Sequence, residues 1–151
     1  MTAFLDSILL VDDSEDDNFF HKRAIARSGL KCHVDVCTTG DDAMDYLAGQ
    51  GKYADLSDDP PKPDLIFLDI NMPRVNGWEF LDLYGEWINE HQPETSDTDL
   101  PVIVMLSTSM NPADQERASE SRLVTSYMFK PLKPDDVTEV VSNYFSSSSD
   151  Q

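Results

Sequence analysis

A chain of 151 residues that is 40% apolar, with only nine prolines and six glycines, is sized and composed for one globular domain rather than a disordered segment. Its 29 acidic residues against 11 basic ones leave a formal charge of −18, which a phosphate backbone would repel, so a nucleic-acid partner is not expected. No run approaches the roughly 18 apolar residues that span a bilayer, and residues 1–7 lack the basic-then-apolar order of a secretory leader. The expectation is a cytoplasmic protein without a membrane partner, its acidity fitting a salty cytoplasm in which self-repulsion is screened.

Strand-like and helix-like stretches alternate five times. Ile8-Leu9-Leu10-Val11 is a short apolar run and predicts the first strand. Residues 14–28 carry Phe19, Phe20, Ala24 and Ile25 at helical spacing, and Gly29 stops the helix. A second strand is expected over residues 32–36. It places Cys32 and Cys37 on opposite faces, so reduced thiols are expected. A short helix over 40–47 has Ala43, Met44 and Leu47 on one stripe, and residues 49–63 read as a loop insertion. Leu65-Ile66-Phe67-Leu68 is the third strand, and the helix over 77–90 offers Phe80, Leu81, Tyr84, Trp87 and Ile88 to a core. A polar loop over 92–99 precedes the fourth strand at 102–106, which is followed by a helix over 112–122 whose first-turn proline suits its position. The fifth strand is 126–129, and the last helix begins at Pro134 with Val137, Val140, Val141 and Tyr144 as its core stripe. Residues 1–145 form the expected domain, with 146–151 as a flexible polar tail.

Strand-helix units of this length imply an α/β fold: a doubly wound, flavodoxin-like parallel sheet of five strands with five helices, order 2-1-3-4-5. In that order the carboxyl ends of strands one and three are neighbours, which brings Asp12 and Asp13 beside Asp69. The fourth strand ends at Ser107 and the fifth at Lys130. A capping role would need only one aspartate at the start of the first helix. Two adjacent carboxylates, with Glu15, Asp16 and Asp17 close behind, repel one another. At about 4 Å such a pair costs on the order of 4 kcal/mol at an effective dielectric near 20. A bound Mg²⁺ relieves that repulsion, and its octahedral oxygen shell suits Asp13, Asp69, a backbone carbonyl near Asn71 and waters. A calcium-loop reading fails, because Asp17 stands where glycine is needed and Arg23 where a bidentate glutamate belongs.

Asp69 at the centre of the sheet's carboxyl edge is placed to attack phosphorus and form an acyl phosphate. Lys130, facing three carboxylates, reads as the counter-charge for the transferred group. A cis bond before Pro131 would fix the Lys130 geometry, and the sequence leaves cis or trans open. Ser107 is the preferred hydroxyl to meet a phosphoryl oxygen, with Thr108 an alternative one register step away. His21, His33 and His91 lack metal-ligand spacing and read as ordinary surface or partly buried residues.

The set Val11-Asp12-Asp13, Leu68-Asp69-Ile70-Asn71-Met72-Pro73 with Gly77, Leu106-Ser107-Thr108-Ser109 and Tyr127-Met128-Phe129-Lys130-Pro131 resembles the receiver domain of two-component response regulators. The resemblance covers residues 7–145. It implies that Asp69 accepts a phosphoryl group from a phosphohistidine on a sensor histidine kinase or phosphotransfer protein. Asp12, Asp13, Asp69 and the Asn71 carbonyl would hold Mg²⁺. Lys130 would contact the phosphoryl group, and Ser107 with Tyr127 would form a switch pair that remodels the surface of residues 112–145. Serine replaces the commoner threonine at 107. The two long loops look more like those of stand-alone receivers paired with phytochrome-type kinases. With no output module expected, the signal would pass through protein contacts, including possible homodimerisation through 112–145. Two other readings compete. A haloacid-dehalogenase-like aspartyl-phosphate phosphatase needs a second aspartate two residues after the nucleophile, where this chain has Asn71. A non-phosphorylated flavodoxin-like binding module would have no use for the full charged set.

Overall fold

The computed structural model describes residues 5–56, 62–96, 100–108 and 110–145. Elements follow in the order β1 (Ser7–Val11), α1 (Glu15–Arg27), β2 (His33–Cys37), α2 (Gly40–Ala48), β3 (Leu65–Asp69), α3 (Gly77–His91), β4 (Val102–Ser107), α4 (Pro112–Glu120), β5 (Ser126–Phe129) and α5 (Pro134–Tyr144). All four strand pairings are parallel and the order is β2-β1-β3-β4-β5. The flavodoxin-like topology expected from the element pattern is the one observed.

Apolar runs form the inner strands because both faces are covered. Leu9, Val11, Ile66, Leu68, Ile103 and Met105 face a core completed by α2, α3 and Ala118 of α4. Their neighbours Ile8, Leu10, Leu65, Phe67, Val104 and Leu106 face the opposite core, completed by Ala24 and Ile25 of α1 and Val137 and Val140 of α5. β3 is buried along its whole length, whereas the edge strands β2 and β5 are only partly covered. Cys37 belongs to the first core and Cys32 packs against the second; both thiols are free.

Several expectations need correction. Phe19 and Phe20 do not face the core: they are 59% and 53% exposed and stack on each other edge to face. The buried stripe of α1 is Asn18, His21, Ala24 and Ile25. The helix phase is set at its start, where Asn18 Nδ2 donates to the Asp12 carbonyl at 2.9 Å. Ala24 and Ile25 lie on the same face as Asn18 and His21, so this face turns inward and the phenylalanines lie outside it. In α2 Tyr46 is buried where Met44 was expected and Met44 only flanks the core. Tyr144 is exposed, and Phe145 takes its inward place. The stretch read as a loop after α2 contains 3₁₀ turns over Gly51–Leu56 with a kink at Tyr53, whose ring packs edge to face on Tyr46 at 5.2 Å and against the core. Ser109, part of 49–63 and of 92–99, and the 146–151 tail lie outside the described residues.

α3 starts where its backbone crosses close behind β3. The Gly77 N–H donates to the Ile70 carbonyl at 2.8 Å, and Asn76 and Glu79 form a reciprocal cap. A Cβ at Gly77 would lie 2.6 Å from the Asp69 carbonyl oxygen. Gly77→Ala should therefore destabilise the fold by about 2–3 kcal/mol through a clash that only backbone movement relieves. Urea unfolding checks this; a loss under about 0.5 kcal/mol, the level of a neutral surface change, would refute the close-approach account.

Candidate functional site

The strand registers assemble the site. Val11 pairs with Leu68, which puts Asp12 level with Asp69; Asp69 pairs with Leu106, and Ser107 with Phe129 just ahead of Lys130. The chain crosses between β1 and β3, the place where an open parallel sheet leaves a crevice at its carboxyl edge. The Asp12 N–H donates to the Cys37 carbonyl at 3.1 Å, and the Lys130 N–H to the Ser107 carbonyl at 2.9 Å, so both ends are pinned by extended ladders. The Lys130–Pro131 bond is cis.

Oxygen atoms of Asp12, Asp13 and Asp69 all lie within 4.8 Å of one another. Asp12 and Asp69 are buried and Asp13 is exposed. Such hard carboxylate oxygens, two of them nearly dehydrated, fit a divalent cation of the Mg²⁺ type. Asn71 is exposed on the turn that follows β3. Capping is also present here, but Ser14 performs it: its Oγ accepts the Asp17 N–H, while Asp12 Oδ1 accepts the Ser14 N–H at 2.9 Å.

Lys130 crosses to this cluster from β5. Its Nζ lies 2.8 Å from Asp12 Oδ2, 2.9 Å from Asp17 Oδ2 and 3.0 Å from Asp69 Oδ1. Burial disfavours the ammonium, yet the hydrogen bonds to Asp12 and Asp17 and the Asp69 charge outweigh it and raise its pKa. Asp69 moves the other way from a salt-bridged carboxylate. Burial, with the Asp12 charge next, pushes it up to about 6 in spite of Lys130. Three carboxylates therefore share this one ammonium.

Ser107 is 1% exposed at the end of β4. Thr108 is exposed and lines a cavity of about 240 Å³ together with Asp17, Phe20, His21, Lys130 and Pro131. Tyr127 is partly buried against the α2–α3 core, its ring 5.6 Å from that of Phe129. Sequence reasoning passed over two neighbours of Lys130. Asp17 lies in the first turn of α1, four residues after Asp13 in the chain, a closeness that could have flagged it. His21 is buried, its Nδ1 has no hydrogen-bond partner, and burial lowers its pKa. His33 and His91 are exposed, as expected.

With this geometry in place, the comparisons are specific. Residues 8–142 match the family model described as "Response regulator receiver domain". Response regulator Rcp1 of Synechocystis is 31% identical over 134 residues, covering 89% of this chain and 82% of that one. The Mn²⁺-bound form of Rcp1 aligns with TM-score 0.69 and 27% identity, covering 94% of this chain and 96% of that one. The bacteriophytochrome response regulator RtBRR aligns with TM-score 0.72 and 28% identity, covering 93% and 78%. The cluster of strand-end carboxylates gathered around a strand-end lysine thus has a family to go with it: the chain belongs to the response regulator receiver domains of two-component signalling.

Proposed function

We propose that Asp69 is the phosphoacceptor of this receiver domain and that its donor is a phosphohistidine on a sensor histidine kinase or phosphotransfer protein. The observation that carries the reading is the Lys130 ammonium 3.0 Å from Asp69 Oδ1 inside a carboxylate cluster that fits a divalent cation. Asp12, Asp13, Asp69 and the Asn71 carbonyl are the residues to hold Mg²⁺. When bound, Mg²⁺ supplies the positive charge that a phosphoryl group needs in so acidic a pocket.

The chain's own residues account for the rest. Asp69 sits on a rigid, fully buried strand, so its carboxylate meets the donor phosphorus with little reorientation. An oxygen of Asp69 bonds to phosphorus while the bond from phosphorus to the donor imidazole nitrogen breaks, the electron pair leaving with the nitrogen. The acyl phosphate adds about 1.5 to 2 negative charges. Lys130 offsets part of this as a fixed point charge at the acceptor. Ser107, at the neighbouring strand end, donates its hydroxyl hydrogen to a phosphoryl oxygen, and Tyr127 turns inward behind it. This pair transmits the change to the surface of residues 112–145, through which a protein partner or a second copy is engaged. The similarity to RtBRR favours a photoreceptor-type kinase as donor.

Incubation with Mg²⁺ and acetyl phosphate should add one phosphoryl group to the intact mass, and Asp69→Asn should remove the adduct. A folded, metal-binding wild-type chain that stays unmodified with acetyl phosphate and phosphoramidate alike would contradict this reading. A second test uses the raised Asp69 pKa. The folded carboxyl holds its proton up to about pH 6, against an ordinary value of 3.8. Its charged form therefore costs stability, a cost absent at low pH, growing between those two values and complete above the higher one. In EDTA at about pH 7.5, Asp69→Asn should raise unfolding free energy by about 1–3 kcal/mol. Urea titrations should show the gap closing as pH falls toward 4; a gap that does not change with pH would exclude the burial penalty.

A further inference from the structure

We propose that Asp17 is a positioning residue for phosphotransfer: it parks the Lys130 ammonium on α1 in the resting state and is the acceptor that Lys130 gives up when a phosphoryl oxygen arrives. The proposal rests on Asp69 being the phosphoacceptor. An ammonium has three N–H donors. Here two are hydrogen-bonded, to Asp12 at 2.8 Å and Asp17 at 2.9 Å, and Asp69 Oδ1 is an ion-pair partner 3.0 Å away. With three carboxylates crowded around one ammonium, a phosphoryl oxygen that approaches Lys130 competes with them, so one of the three contacts must weaken or be shared.

Solvation decides which one. The side chains of Asp12 and Asp69 are 2% and 6% exposed, whereas that of Asp17 is 39% exposed. A buried carboxylate stripped of its cation remains an uncompensated charge, while a half-exposed one is rehydrated at once. Asp12 has a second constraint, because its Oδ1 already accepts the Ser14 N–H and its carbonyl the Asn18 amide. Asp17 lies outside the group of carboxylates close enough to share a cation. Among the described residues, the hydrogen bond that its side chain makes is the one to Lys130. It therefore competes with the phosphoryl group for the ammonium without contributing to the cation pocket, and slows the step it borders.

Small phosphodonors isolate this effect, since they need no protein docking. In transfer from acetyl phosphate, an Asp69 oxygen bonds to phosphorus and the bond to the acetyl oxygen breaks, its electron pair leaving on acetate. The rate of mass gain is followed at saturating Mg²⁺ and subsaturating acetyl phosphate, so that changes in metal affinity do not enter. Asp17→Asn should raise the rate constant about threefold to tenfold, the range for losing one charge-assisted contact with a half-exposed partner. Asp17→Glu should return the rate toward wild type by restoring an anionic acceptor. Asp16→Asn removes the same charge from the same helical turn at an exposed position that makes no Lys130 contact, and should leave the rate within about twofold. Equal or slower phosphorylation in Asp17→Asn, or the same gain in Asp16→Asn, overturns the proposal while leaving Asp69 as the acceptor. A wild-type chain that takes no phosphoryl group from small donors overturns both.

Discussion

The site depends on one ammonium placed among carboxylates at the carboxyl edge of a parallel sheet. Lys130 arrives from β5, more than a hundred residues after Asp12, and meets it at 2.8 Å. Neither group tolerates this position alone. Burial raises the Asp69 pKa and opposes the charge of Lys130, and the hydrogen bonds to Asp12 and Asp17, with the Asp69 charge, keep Lys130 protonated. The rest of the molecule holds this geometry. The ladder from Asp12 to Cys37 and the one from Lys130 to Ser107 extend the sheet hydrogen bonding to the last residue before the site. Gly77 lets the start of α3 pass directly behind Asp69.

The two cores serve that placement. Because alternate residues of β1, β3 and β4 point to opposite faces, a slip of one residue in any strand would move its whole apolar set to the wrong core. The same slip would turn Asp69 away from Lys130. Packing and function are thus fixed by one register, and the interior that specifies the fold also specifies the distance between nucleophile and cation. The excess of acid over base at the site is the feature that makes a divalent cation fit, and it leaves three carboxylates competing for one ammonium in the resting state.

The fold was legible because its signal is redundant. Four apolar runs, each closing on a polar side chain, and helical stripes at regular intervals leave few topologies once right-handed crossovers are required. Asp12, Asp13, Asp69, Ser107 and Lys130 stood out for the same reason, each at the end of such a run. Positions governed by side-chain competition were misread. Phe19 and Phe20 were grouped with Ala24 and Ile25 by helical spacing, yet the buried face is Asn18, His21, Ala24 and Ile25, and the phenylalanines go out. The Tyr53 ring packs on Tyr46 and ties the stretch read as a loop to the core, a contact between side chains that local sequence does not announce. Asp17 looked like one more acid at a helix start, a position where carboxylates are favoured for the macrodipole alone.

Local sequence by itself determined the strands, the helices and the residue types delivered to the sheet's edge, since period and chain punctuation are properties of neighbouring residues. What only tertiary structure decided is who shares Lys130. That choice depends on how far α1 rotates about its axis and on how much water reaches each carboxylate. Both are set by contacts between residues remote in the chain, which periodicity does not encode.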